Sequence, residues 1–306
     1  MHPFRFAVQH ASAPTGEAWA ALARRVESIG YDVLVMPDHL GRQLSPMAAL
    51  ATAAAATTRL RVGAFVFAND YRHPLILARE AATLDLLSGG RFELGLGAGW
   101  MTRDYTRLGV TCDPGPRRVD RLEEAIPLVK RLLSGETVTH HGANYQLDRA
   151  SAGVVPVQRP RPPLAIGGGG PRMLRLAARE AEIVGLVPGF NAHGRIILRQ
   201  ATEKATAEKV ALVRQAAGDG FERLELNLWL GGAGLIGRHN LLLGSVAVAG
   251  RALTSLYGSP YVLYGTLRST RDQLLRRRDR LGISYYTIPG HAMESMAPLV
   301  EALAGR

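Results

Sequence analysis

Leu164-Ala165-Ile166-Gly167-Gly168-Gly169-Gly170-Pro171-Arg172-Met173-Leu174 is a short apolar run, then four glycines, then a proline heading a helical pattern. The run predicts a strand over Leu164–Gly167. Gly170-Pro171 opens a helix, because proline suits the first helical position. The same strand–turn–helix unit recurs outward in both directions. Upstream lie strands Phe4–Gln9, Asp32–Met36, Leu60–Phe67 and Arg91–Gly97. They alternate with helices over Gly16–Ile29, from Ser45-Pro46 to Thr57, from His73-Pro74 to the stop at Ser88-Gly89-Gly90, and over Arg117–Leu133, after a loop Ala98–Pro116. Downstream lie strands Ile183–Val187, Arg223–Leu230 and Ile283–Ile288. Their helices span Arg195–Ala217, a stretch opened by the capping box Thr270-x-x-Gln273 and running to Leu281, and Ala292–Leu303. A further helical reading falls on 235–257. Eight strands, each followed by a helix, predict an α/β fold of the (β/α)8 TIM-barrel type. A doubly wound sheet is the alternative. Residues 135–163 break the rhythm with a hairpin (Thr137–His141, Tyr145–Asp148) and a proline-rich stretch. They are read as an insertion within one domain spanning 1–306.

A length of 306 residues suits one such barrel, and 47% hydrophobic with 21% charged residues excludes disorder as the main state. No apolar run reaches the eighteen or so residues of a membrane span. Met1-His2-Pro3-Phe4-Arg5 lacks the layout of a signal peptide, so a cytoplasmic protein without membrane contact is expected. One cysteine, Cys112, excludes an internal disulfide and a multi-cysteine metal site. The net charge of +11 suggests an anionic partner. Of the 37 basic residues, however, only Lys130, Lys204 and Lys209 are not arginine. That bias reads as genome composition, and nothing interleaves bases with aromatics, so no nucleic-acid partner is predicted.

On a barrel, chemistry sits where strands end. Gly167, Gly168, Gly169 and Gly170 with Pro171 form a phosphate-binding turn, since free N–H groups at a helix start attract anions; Arg172 and Arg175 add charge. Glu93–Gly99 imitates a nucleotide glycine signature, but three βα units precede it and Trp100 stands where glycine is required. A methyltransferase reading therefore fails, and the glycines would let the strand pass beneath a flat ring. Asp38-His39 places a carboxylate beside a proton-carrying histidine at a strand end. His140-His141 alternate across a strand and make a poor metal pair, so no metal is predicted. Arg276-Arg277-Arg278 is read as a solvated face, with a role near an acidic cofactor tail as the alternative.

Gly30-Tyr31-Asp32 leading to Asp38-His39, Thr57–Gly63, Arg72-His73-Pro74, Leu84–Arg91, Glu93–Trp100, the Gly167–Pro171 turn and Ala178-Arg179-Glu180-Ala181 together resemble the luciferase-like monooxygenase superfamily, in its coenzyme F420-dependent oxidoreductase branch. Residues 1–185 carry the likeness well, 260–306 moderately and 231–258 poorly. The resemblance implies a luciferase-like barrel with insertions and a deazaflavin at the strand ends. It implies a non-proline cis peptide at Phe65-Val66, and ring or phosphate contacts from Asp38, His39, Phe65, Val66, Ala98, Gly99, Arg103, Gly167–Gly170 and Pro171. It also implies a homodimer.

One departure matters. Sugar-phosphate dehydrogenases of the branch carry a glutamate acid where this chain has Trp100. Oxidation of a sugar alcohol is therefore disfavoured, and the expectation becomes an F420H2-dependent reductase. It would pass the deazaflavin C5 hydride to an activated C=C or C=N bond of a small-molecule or natural-product substrate, with His39 and Asp38 as catalytic residues. Gln9, His10, Tyr71, Trp100, Asn191 and His193 are placed in the substrate pocket, with Arg42 nearby. An FMN-dependent monooxygenase is the alternative within the superfamily, and a non-catalytic binding or scaffold protein the alternative outside it.

Overall fold

The computed structural model describes residues 1–191, 195–235 and 258–306. Among the described residues, eight parallel strands close into a barrel: β1 Arg5–Gln9, β2 Val33–Met36, β3 Arg61–Ala64, β4 Phe92–Gly97, β5 Leu164–Gly168, β6 Ile183–Leu186, β7 Glu225–Trp229 and β8 Ile283–Pro289. Each pairs in parallel with its sequence neighbour, and β8 closes back on β1 in the register Arg5↔Tyr285 to Gln9↔Pro289. The strands are buried on both faces, which is why they read as continuous apolar runs rather than alternating ones.

Eight main helices of the described residues alternate with them: α1 Gly16–Ile29, α2 Pro46–Ala55, α3 Pro74–Leu87, α4 Gly115–Leu133, α5 Pro171–Glu180, α6 Glu203–Ala217, α7 Leu267–Leu281 and α8 Met293–Leu303. Local chemistry fixes their ends. The Thr15 hydroxyl accepts from the Ala18 N–H, and Gly30 closes α1 at φ 96°, a conformation that favours glycine. The larger apolar core lies between helices and strands. Inside the barrel a smaller cluster of Ala7, Val33, Val35, Ala165, Ile183 and Tyr285 fills the axis.

Four local expectations are corrected. The third strand does not run through to Phe67; it stops at Ala64 and resumes as Phe67–Ala68 after a cis peptide between Phe65 and Val66. The Ala98–Pro116 segment is not all loop, since Thr102–Leu108 is a helix ended by Gly109 at φ 72°. The helix expected from Arg195 starts only at Glu203, because Thr202 caps it. Thr270 caps nothing; it is buried inside α7, whose cap is the Thr266 hydroxyl accepting from Ser269 N–H. The helical reading over 235–257 lies outside the described residues, apart from Leu235 itself, which ends a short strand Gly232–Leu235 paired with Val262–Gly265.

The insertion contributes a hairpin, Val138–His141 with Gln146–Ala150. Glu124 of α4 stitches its turn, accepting from Asn144 N–H at 2.9 Å and Tyr145 N–H at 3.0 Å. Its oxygen also lies 3.0 Å from His140 Nε2, while His141 meets Gln146, so each histidine has a structural partner. Two arginines of the α7 run have structural partners. Arg278 stacks over Phe4 and donates to the Arg306 carbonyl, and Arg277 donates to the Pro260 carbonyl. A role beside a cofactor tail is not supported there.

Candidate active site

The ends of β3 to β6 form the floor of a cavity of about 410 Å³ at the C-terminal mouth of the barrel. After β3 the Phe65–Val66 turn folds across the mouth. Phe65 packs down on the inner cluster, and both residues line the cavity. Their neighbours must be small. A Cβ on Gly185 would stand 2.7 Å from the Phe65 ring, on Gly97 2.6 Å from Val66 Cγ2, and on Gly167 3.0 Å from Val66 Cγ1. A Cβ on Gly95 would collide with the Ala64 carbonyl. Gly95 and Gly97 thus answer the chain's own packing rather than the passage of a ring. Gly99 adopts φ 74° and leaves room for the Tyr105 hydroxyl.

Gly167, Gly168, Gly169 and Gly170 all line one end of the cavity. Gly168 and Gly169 are held small by their neighbours: a Cβ on Gly168 would stand 2.7 Å from Met173 Cβ, and one on Gly169 2.6 Å from the Val187 carbonyl. Gly170 differs: a Cβ there would meet nothing within 4 Å, so no protein atom explains it. It caps α5 without a side chain, and Pro171 follows at the first helical position. The next N–H groups of the first turn have no intrahelical acceptor, and the helix dipole favours an anion there. Arg172 adds nothing to this end; it pairs with Asp120 at 2.7 Å and with Glu123. Arg175 is exposed and, like Arg172, off the lining.

His39 lines the cavity, but its orienting carboxylate is not its neighbour Asp38. Asp38 faces Arg72, taking Nη1 at 2.6 Å and Nη2 at 3.2 Å, and accepts from Ala68 N–H at 3.0 Å. It therefore braces the segment after the cis turn. His39 Nδ1 instead lies 2.7 Å from Asp104 Oδ2. Asp104 is fully buried, and its other oxygen accepts from Leu40 N–H at 3.2 Å. A carboxylate can only accept, so Nδ1 carries hydrogen and Nε2 is left for a ligand. Tyr71, also on the lining, bonds Asp104; burial first, then the Asp104 and Asp38 charges, push its hydroxyl well above the usual tyrosine range, so it stays protonated.

An aromatic wall closes the remaining side. Trp100 stacks on Phe190 with centroids 5.1 Å apart and planes at 22°. His39 meets Trp100 edge-on at 5.7 Å, and Phe190 meets Trp229 at 6.0 Å. The Trp229 indole N–H donates to Gln9 Oε1 at 2.8 Å, fixing both lining side chains. The loop bearing Phe190 is anchored from behind by Lys209. Its ammonium donates to the Val187 carbonyl at 2.8 Å, the Gln200 carbonyl at 3.1 Å and the Tyr261 hydroxyl at 3.1 Å. Burial lowers this lysine to about 8.

The structure therefore gathers Gln9, Asp38, His39, Phe65, Val66, Tyr71, Ala98, Gly99, Trp100 and Gly167–Gly170 around one cavity. It does not bring His10, Arg103, Pro171 or Asn191 to the lining. His10 is wedged against Gly290, Arg103 is exposed on its short helix, Pro171 is exposed at the head of α5, and Asn191 bonds Arg195. Arg42 is exposed too, and His193 lies outside the described residues. The strand-end reading draws attention to the loops Ala98–Asp104 and Pro188–His193, which hold Asp104 and Phe190, but gives neither residue a role, and it does not single out Arg72, Trp229 or Met173. Of these last three, Trp229 carries a signal, as a residue at the end of the seventh strand. The resulting site can hold a flat ring with a phosphorylated chain and present one protonatable histidine to a second, apolar molecule.

The model of the luciferase-like monooxygenase family matches residues 1–218. An F420-dependent glucose-6-phosphate dehydrogenase of Microbacterium testaceum is 35% identical over 51% of this chain and 48% of its own length. A 4-hydroxyprotoasukamycin monooxygenase of Streptomyces nodosus subsp. asukaensis is 37% identical over 52% of this chain and 43% of its own. The chain thus matches about half the length of these relatives. The coenzyme F420-dependent tetrahydromethanopterin reductase of Methanopyrus kandleri superposes with a TM-score of 0.79 at 18% identity, over 98% of this chain and 99% of that one, a likeness of fold. With a family model spanning more than two thirds of its residues and the matching barrel, the chain belongs to the luciferase-like monooxygenase family.

Proposed function

We propose that this protein is an F420H2-dependent reductase acting on an activated C=C or C=N bond of a small-molecule or natural-product substrate. The observation that carries the reading is His39, backed by buried Asp104, facing a wall where Trp100 offers no second acid. Oxidation of an alcohol benefits from a separate acid and base, whereas reduction of a polarised double bond needs one proton besides the hydride. Coenzyme F420, when bound, supplies the hydride. The residues present fit it. Phe65, Val66, Ala98 and Gly99 would hold its ring, and Gly169, Gly170 and the first turn of α5 its phosphate. The wall of Trp100, Phe190 and Trp229 excludes water and orients the substrate, and His39 delivers the proton from Nε2. The reading covers 1–306 as one catalytic domain, working as a cytoplasmic homodimer without nucleic-acid or membrane partners.

Anaerobic incubation with F420H2 and a neutral enone such as benzalacetone tests it. The expected product is the saturated ketone, with the deazaflavin hydride at the β-carbon and a solvent proton at the α-carbon. The monooxygenase relative favours a second reading, in which reduced FMN and oxygen are used. Oxygen-dependent turnover that inserts an oxygen atom, with no anaerobic reduction, would replace the first reading by the second.

A further inference from the structure

Among the described residues that line the cavity, only Asp38, His39 and Tyr71 have titratable side chains, and no lysine or arginine is present. Asp38 is already neutralised by Arg72, and His39 is held by Asp104. Of the arginines around the mouth, Arg42 and Arg103 are exposed and off the lining, and four others are committed elsewhere. Arg121 binds Asp70 at 2.6 Å and Asp113 at 2.5 Å. Arg118 donates to the Gly99 carbonyl, Arg107 to the Leu40 carbonyl, and Arg172 to Asp120 and Glu123. The anion-ready element, Gly169-Gly170 with the start of α5, lies at the glycine end of the cavity, and the reading above assigns it to the cofactor. What remains beside His39 is the Trp100–Phe190 stack, the edge of Trp229 and Met101.

We infer that the substrate subsite takes an uncharged, planar, conjugated acceptor, laid against the Trp100–Phe190 wall, and that it rejects phosphorylated or carboxylated substrates. This rests on the reductase reading for its chemistry but not for its binding preference. An aromatic face rewards a flat π-system through offset stacking and area burial. An anion in the same place would shed its water and meet, among the described lining residues, no cation but the His39 ring, which Asp104 already pairs. Selectivity thus comes from the lack of a lysine or arginine among the described lining residues as much as from the wall. The subsite is opposite in character to one that must hold a sugar phosphate, although a named sugar-phosphate dehydrogenase is among the similar proteins.

Calorimetric titration tests the inference with three probes: benzalacetone, its 4-carboxy analogue and glucose 6-phosphate, each added to the full chain with and without saturating oxidised F420. The neutral ketone is expected to bind at least about tenfold tighter than the carboxylate, a difference of about 1.4 kcal/mol. With F420 filling the glycine end, glucose 6-phosphate is expected to show no heat beyond dilution at the same concentrations. Trp100→Ala and Phe190→Ala are each expected to weaken the neutral probe by about tenfold or more. Phe190→Leu, which keeps the volume but not the π-face, separates stacking from collapse of the wall; it should retain the fold and still lose affinity. Equal or tighter binding of either anion, or unchanged affinity in both alanine variants, overturns the inference. Failure of F420 to bind sinks the reductase reading instead, and the cofactor-free titration of the neutral ketone into the chain and its Trp100→Ala and Phe190→Ala variants still decides whether the wall binds it.

Discussion

Replacing Asp104 with asparagine changes the atom that His39 Nδ1 meets at 2.7 Å while leaving the size of the side chain intact. The amide Oδ1 can still accept from Leu40 N–H, whose partner now lies at 3.2 Å. The amide nitrogen then faces Nδ1, and two donors cannot share that contact. Nδ1 must become the acceptor, so the ring hydrogen moves to Nε2 and the carboxylate support for a doubly protonated ring is lost. A charge-assisted hydrogen bond of this kind contributes about 2 kcal/mol, which corresponds to about thirtyfold in rate. The expected result is a fall in kcat of about thirtyfold for enone reduction, with KM changed less than about threefold and an unchanged circular dichroism spectrum. Nitrogen NMR of labelled histidine should show Nδ1–H in the wild type and Nε2–H in the variant. Asp104→Glu, which restores the carboxylate, should recover part of the rate. A full kcat in Asp104→Asn, together with the variant tautomer, would refute proton delivery by His39.

Burial pushes Glu225 up to about 7, outweighing its contact with Arg5, which is shared with Glu93 while Glu93 and Asp32 add negative charge. The folded chain then holds a proton that the unfolded chain releases near 4.5, so this group's contribution makes stability fall as pH rises from about 4.5 to 7, by up to about 3 kcal/mol. Urea midpoints of Glu225→Gln should lose that slope, and an undiminished slope would contradict the assignment. Gly185→Ala drives a methyl to 2.7 Å from the Phe65 ring and should destabilise by about 1–3 kcal/mol in thermal unfolding; a neutral effect would mean the floor is not packed as described. Gly170→Ala meets open space at φ −84°, so Tm should move by no more than about 3 °C while affinity for F420 falls about tenfold or more; unchanged affinity would move the phosphate elsewhere.

The eight strands are legible because each is buried on both faces and written as an apolar run between helical periods. The caps are legible where Pro46, Pro74 and Pro171 mark helix starts. The partner of His39 is not. Asp38 stands next to it in sequence, but consecutive residues leaving a strand point apart, and Asp38 turns to Arg72. Asp104 comes from a segment with too few apolar positions to show a helical face, 65 residues away. The glycine run of β4 is visible but its cause is not, since Gly95 and Gly97 make room for Ala64 and Val66 across a strand pairing that no local pattern encodes. Phe190 and Trp229 meet only after the barrel closes.

The most direct test of the account is a titration of the purified chain with F420 and with FMN, followed by fluorescence quenching. The account predicts saturable binding of F420 at least about tenfold tighter than FMN, weakened by Gly170→Ala. Tighter binding of FMN, or binding of neither by a folded sample, would contradict it.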